Sequence, residues 1–227
     1  MRYFNSSLLG ALSAVIISLS VLVGPGTVSA GEEVADISTA ALKIPPQKSN
    51  GDVLQLAHSS MSRLGNETIA ALSKKTLSKD ERVEFYRKLI TGNLDVKVLA
   101  KFMVGDAWKT MSSESHKAYL SVFNDFIVKT YATRLGGIEI EKFEIKETKF
   151  SGKDKKDVLV KSKISRPGDR SVDAVWRLRS RGDRFVILDL SVQGISVALT
   201  MRQEFVGIIQ KTGSIDGLID VLKKRVV

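Results

Sequence analysis

The chain has 227 residues, 43% hydrophobic and 26% charged, which is enough apolar material for one buried core and too much for a disordered chain. Lysine and arginine total 35 against 25 acidic residues, a net charge of +10, and cysteine is absent. Disulfides, thiol catalysis and thiolate metal sites are thereby excluded.

At the N-terminus, Arg2 precedes an uncharged apolar run from Leu8 to Val23, then Gly24-Pro25-Gly26 and Val28-Ser29-Ala30. A basic start, an apolar centre, helix breakers and small residues before a cut site make a secretory signal, with cleavage expected after Ala30. The run is short for a membrane span, so residues 1–30 are assigned as a signal peptide. Residues 31–51, with Pro45-Pro46 and no sustained period, are expected to be a flexible leader, and 52–227 a single domain. A basic exported chain meets anionic headgroups rather than nucleic acid, so no nucleic-acid partner is expected.

Asp52 is placed to cap a helix carrying Val53, Leu54, Leu56, Ala57, Met61 and Leu64, ended by Gly65-Asn66, with a further helical segment through Ile69, Ala70, Leu72 and Leu77. Ser78-Lys79-Asp80-Glu81 opens the next helix as a capping box, which Gly92 ends. Leu94-Asp95-Val96 starts a shorter one, broken at Gly105. Ser112 or Ser113 begins the longest, which carries Tyr119, Phe123, Phe126, Ile127 and Tyr131 before Gly136-Gly137. That helix is apolar around more than half its circumference, so it must be covered on two sides or line an apolar space.

Four strands follow at a period of two, over Ile138–Phe150, Asp157–Arg166, Ser171–Arg181 and Arg184–Gln193, joined by hairpin-length turns. Val158, Val160 and Ile164 share one face of their strand. So do Val172, Ala174, Trp176 and Leu178 of the next, and Val186, Leu188, Leu190 and Val192 of the last, with Lys161, Lys163, Arg177 and Arg179 opposite. From Gly194 through Ile195 and Ser196 the period changes back to that of a helix. The fold class is α+β: N-terminal helices packed on a four-stranded antiparallel meander closed by C-terminal helices.

No catalytic constellation stands out. His58 and His116 fit solvated helix faces, and Asp183 and Asp189 fit turn and strand-end roles. No Gly-rich phosphate loop, paired-histidine metal spacing or Gly-x-Ser-x-Gly elbow occurs, so no enzyme activity, cofactor or metal is expected. The aromatic residues have two readings, a solid core or the wall of an apolar cavity, and periodicity does not choose between them.

Three blocks resemble the periplasmic MlaC family, also called the toluene-tolerance or ABC-transporter auxiliary family. They are Leu94-Asp95-Val96 through Phe102, Gly105 and Trp108; Phe123 through Thr130-Tyr131 and Leu135; and Gln193-Gly194-Ile195-Ser196, Arg202-Gln203-Glu204-Phe205 and Gly213-Ser214-Ile215-Asp216-Gly217-Leu218. The likeness runs from about Asp52 to Leu222. Met201 stands where the family often has an aromatic residue, and Ser214 where it usually has a second glycine.

The resemblance implies a nuclear-transport-factor-like cone with an apolar cavity. It implies a periplasmic, monomeric carrier of a diacyl phospholipid, moving between an inner-membrane ABC lipid-transport complex and an outer-membrane lipoprotein/porin complex, with transient membrane-surface contact. A hopanoid-associated subgroup is also similar. The expected acyl-chain contacts are Phe102, Trp108, Phe123, Phe126, Ile127, Tyr131, Trp176, Leu178, Leu188, Val197 and Met201. Two alternatives stay open: an enzyme on the same scaffold using Asp173 or Asp189, and a ligand-free adaptor with a solid core.

Overall fold

The computed structural model describes residues 42–43, 49–72, 78–135, 140–168, 171–181 and 184–226. The expected export signal and most of the leader lie outside them. Within the leader, Leu42–Lys43 form a two-residue strand, β1. Helix α1 spans Asn50–Leu72 and opens on a reciprocal pair, in which Ser49 N–H donates to Asp52 Oδ2 at 3.1 Å and Asp52 N–H to Ser49 Oγ at 3.3 Å. Ser49 is therefore the cap, and Asp52 works from inside the first turn.

α1 also runs straight through Gly65, where the sequence predicts an end. The reason is long-range. A Cβ at Gly65 would lie 2.2 Å from the Phe143 ring, so the glycine is there to let the helix backbone approach the sheet.

Helix α2, Lys79–Asn93, has the predicted capping box in full. Asp95 caps α3, Val96–Val104, by accepting the Val98 N–H at 3.1 Å. After a single turn, α4, at Ala107–Thr110, Ser112 opens α5, Ser113–Leu135. The double apolar face of α5 is covered by α2 and α3 on one side and by the C-terminal helices α6, Val197–Thr212, and α7, Ile215–Val226, on the other. Phe205 of α6 packs against Phe123 and Phe126 of α5 at ring distances of 6.1 and 5.8 Å, and Tyr119 extends the aromatic chain to Trp108. The Tyr119 hydroxyl, buried where its anion would be poorly solvated and its pKa therefore raised, donates to the Ala100 carbonyl at 3.0 Å.

The meander consists of β2, Lys142–Ser151; β3, Asp157–Ser165; β4, Val172–Arg181; and β5, Arg184–Val192. The two short strands, β1 and β6, Ile195–Ser196, both pair with β5, giving the order β1-β5-β4-β3-β2 with β6 alongside β5. A parallel bridge from Leu94 to Ile187 covers the same edge of β5 between them. β5 and β6 form a two-residue hairpin in which Gln193 and Gly194 both have positive φ, 49° and 82°. The sequence predicts only a bend at Gly194; two left-handed residues give the tighter reversal.

Bulges at Lys146 and Leu188 each insert one residue without a partner and shift the alternation by one. On β5 this corrects the expected inner face. Phe185 and Ile187 precede the bulge on that face and Leu190 and Val192 follow it, whereas Val186 pairs with Arg179 on the opposite face. Strand periodicity alone cannot show a bulge, because the shift is set by the partner strand.

Candidate functional site

Beyond the Ser180–Phe185 pair at the hairpin end, the inner face of the sheet has four further rows. The first crosses Phe150, Val158, Leu178 and Ile187; the second Thr148, Val160, Trp176 and Leu190; the third Ile145, Ser162, Ala174 and Val192; and the fourth Phe143, Ile164 and Val172. Ala57 and Met61 of α1 close the first row, where Val158, Leu178 and Ile187 are buried. In the fourth row every residue is only half-buried. Trp176 stands at the transition. Its ring meets Phe143 edge-on at 6.1 Å, and its indole N–H donates to the buried Ser162 hydroxyl at 2.9 Å.

The apolar core has two parts, one among the helices and one between α1 and the sheet. Among the described residues, Ile164, Val172, Leu190 and Val192 pack into neither, nor do Ile195 and Val197 just beyond them. These six half-buried side chains lie toward the end of the sheet from which α6 departs, around the buried Ser162 and Ala174 of the third row. Sequence reasoning placed Leu190 and Val192 on the inner face but did not single them out as contacts. The signal available was that both follow the charged residues of β5 on the side of Trp176.

The predicted contact residues do not form one wall. Phe123, Phe126 and Ile127 are buried in the helical core, with Trp108, Tyr131 and Met201 packed on it half-buried. Leu178 is fully buried in the sheet core, and Trp176 lies at its margin. Leu188 is the bulge residue, and Val197 is half-buried at the start of α6. Phe102, expected to point inward, is 37% exposed on α3, held by the Arg202 guanidinium 4.9 Å from its ring.

A different opening, a cleft of about 390 Å³ lined by Thr91, Leu94, Asp95, Asn124, Arg181 and Arg184 among others, lies at the opposite end of the sheet. Its charged walls hold the structure together: Arg181 Nε meets Asp95 Oδ2 at 3.3 Å, and Arg184 donates to the Gly92 carbonyl at 3.0 Å. It is not the apolar space that the sequence points to.

Asp189 is committed as well. Its Oδ2 accepts the Ser196 hydroxyl at 2.7 Å and its Oδ1 the Ala198 N–H at 3.1 Å, which fixes the first turn of α6. Asp173 is exposed. His116 lies against Trp108 with its Nε2 2.9 Å from the Trp108 carbonyl. Among the described residues no three histidine, aspartate or glutamate side chains cluster as a metal site. No described helix is long and apolar enough to cross a membrane.

These features define an α+β protein in which helices pack on a curved antiparallel sheet whose apolar face is buried under α1 at one end and only half-buried at the other. The chain belongs to the MlaC family: the profile of the MlaC protein matches residues 62–224. Among solved structures, it is similar to the phospholipid-binding protein from Ralstonia solanacearum, determined in complex with a phospholipid. The two share 19% sequence identity at a TM-score of 0.66, over 75% of this chain and 96% of that one. None of the curated proteins matches the chain.

Proposed function

We propose that the protein is a periplasmic carrier that holds a diacyl phospholipid with its acyl chains against the half-buried apolar end of the sheet's inner face. The observation that carries this reading is the set of apolar side chains, Ile164, Val172, Leu190 and Val192, on the buried face of the sheet yet packed into neither core. Membership of the MlaC family and the phospholipid in the Ralstonia neighbour support the same ligand class. Trp176 and Val197 complete the proposed wall. Phe123, Phe126, Ile127 and Leu178 support it from behind, and Phe102 lies outside it.

Each buried methylene contributes about 0.8 kcal/mol, so a diacyl lipid with some thirty methylenes is held against water by roughly 24 kcal/mol. Spontaneous escape into an aqueous compartment is negligible. A bilayer offers the same lipid a comparable environment, so exchange at a docked membrane is nearly balanced. Direction then comes from partners that prefer one loaded state, an inner-membrane ABC complex and an outer-membrane lipoprotein/porin complex, since a carrier alone has no energy source. A carrier of this kind works between the two membranes, in keeping with the export signal that the sequence predicts at residues 1–30. Of the two carboxylates named for the enzymatic alternative, Asp189 is engaged through both oxygens at the start of α6, and Asp173 is exposed.

The test is organic extraction of the purified protein followed by mass spectrometry. Stoichiometric phospholipid is expected, and a hopanoid in its place would redefine the ligand. Protein that carries no lipid and takes up none from vesicles would overturn the carrier reading.

A further inference from the structure

Helix α3 starts near the charged cleft, where Leu94 bridges Ile187 and Asp95 meets Arg181, and reaches with Phe102 to α6, which leaves from β6 beside Ser191 and Val192. Two large apolar side chains protrude there, Phe102 from α3 at 37% exposure and Leu199 from the first turn of α6 at 53%. Val98 lies one helical turn before Phe102 on the same side of α3, and the exposed Lys97 and Lys101 form a parallel stripe beside it. Arg202, one turn after Leu199, donates to the Phe102 carbonyl at 2.5 Å and stacks on its ring, fixing the two helices' protruding residues relative to one another.

The patch is net positive, with Arg202 near enough to Asp106 to favour that carboxyl's charged form. Among the described residues neither Lys97 nor Lys101 is in an ion pair. The nearby acids are already engaged, Asp106 with Lys109 at 2.9 Å and Glu204 with Arg225 at 2.6 Å. The chain as a whole carries +10.

We infer that this patch seats the protein on an anionic lipid bilayer, with Phe102, Val98 and Leu199 entering the headgroup boundary and Lys97, Lys101 and Arg202 facing the phosphates. A bilayer suits the chemistry better than a protein partner. Separate protruding side chains ringed by cations are what an interface of lipid headgroups accepts. A stable protein interface needs on the order of 1,000 Å² of complementary surface, and two projecting side chains supply little of that. Seated in this way, the first turn of α6, with Val197 two residues before Leu199, lies beside the membrane. The inference thus deepens the carrier reading and rests on it for its purpose, though not for its test.

The purified protein is sedimented with vesicles of phosphatidylcholine alone and of phosphatidylcholine mixed with phosphatidylglycerol, and the lipid it carries is measured on the same samples. Binding is expected only to the mixed vesicles and should weaken as salt rises. Lys97→Gln and Lys101→Gln should each weaken it by about fivefold at low ionic strength, and Leu199→Asp by about fivefold or more. All three positions are exposed, so thermal unfolding and carried lipid should match the parent protein. Parent protein that ignores the mixed vesicles, or variants that bind them like the parent, would overturn the inference. So would binding that appears only when the vesicles contain a membrane transport complex, which would make the patch a protein dock. Absence of carried lipid in every sample would count against the carrier reading alone and leave the adsorption result standing.

Discussion

The carboxylate of Asp189 and the hydroxyl of Ser196 lie 2.7 Å apart, and through them the last long strand dictates where helix α6 begins. Ser196 Oγ donates to Asp189 while accepting the Leu199 N–H at 3.0 Å, and the second Asp189 oxygen takes the Ala198 N–H. Two of the amides left unbonded at a helix start are thus satisfied, one directly by a negative charge.

Asp189→Ala removes both acceptors and should lower stability by about 2 kcal/mol in denaturant unfolding, against about 1 kcal/mol for Ser196→Ala. Any loss of carried lipid in Asp189→Ala should follow the loss of folded protein. A variant that stays fully stable but loses a chemical activity would instead restore Asp189 as a catalytic candidate.

Gly65→Ala sets helix propensity against packing. In an open helix alanine would gain up to about 1 kcal/mol, but here its methyl carbon would fall 2.2 Å from the Phe143 ring. Overpacking costs about 1 to 3 kcal/mol, so net destabilisation is expected. Phe143→Leu in the same chain should recover about 1 kcal/mol of it, measured as a double-mutant cycle. Additive effects would mean that the two residues do not meet.

The same contact shows where the sequence stops being legible. The capping box at Ser78 and the cap at Asp95 stand where local pattern puts them, because caps are contacts within one turn. The four long strands are also readable, since hairpin turns and alternation are local. Gly65 reads locally as a helix stop, yet its role is set by Phe143, far away in the chain. The bulges at Lys146 and Leu188 are likewise decided by the partner strand, which is why alternation alone puts Val186 on the wrong face. For the site, apolar pattern identifies Phe123, Ile127 and Leu178 as inward but cannot tell a side chain packed by protein from one left for a ligand. That distinction depends on how far α1 and α6 reach over the sheet.

Asp157 makes stability depend on pH in the acid range. Its side chain is 3% exposed, and burial alone would raise its pKa. Hydrogen bonds from Arg179 at 2.6 and 3.0 Å and from Arg177 at 2.7 Å, with their charges, outweigh that and hold it below the usual value. A carboxylate with a depressed folded pKa contributes its stability above the unfolded pKa of about 4 and loses it as pH falls through the folded value. Asp157→Asn should therefore cost about 1 to 2 kcal/mol at neutral pH, discounted because both arginines are partly exposed. It should also flatten the decline in stability below about pH 4. An unchanged acid limb in denaturant titrations would show that Asp157 is not the responsible group.

A single charge placed at two neighbouring positions of the inner face separates core from ligand wall. Leu178 is fully buried in the first row under α1, whereas Leu190, in the second row beside Trp176, is half-buried and packed into neither core. Leu178→Asp buries a carboxylate with no partner and should cost more than about 4 kcal/mol, with lipid lost because the fold is lost. Ile127→Asp, in the helical core at 3% exposure, should behave in the same way. Both residues were expected to line the cavity, and their burial changes that expectation. Leu190→Asp can turn its carboxylate toward the half-buried apolar end of the inner face, so its cost should be about 1 to 2 kcal/mol. There it meets acyl chains, and carried phospholipid should fall at least about tenfold while the unfolding transition stays cooperative. If Leu190→Asp unfolds as readily as Leu178→Asp, the half-buried end is ordinary core; if it keeps its lipid, the acyl chains lie elsewhere.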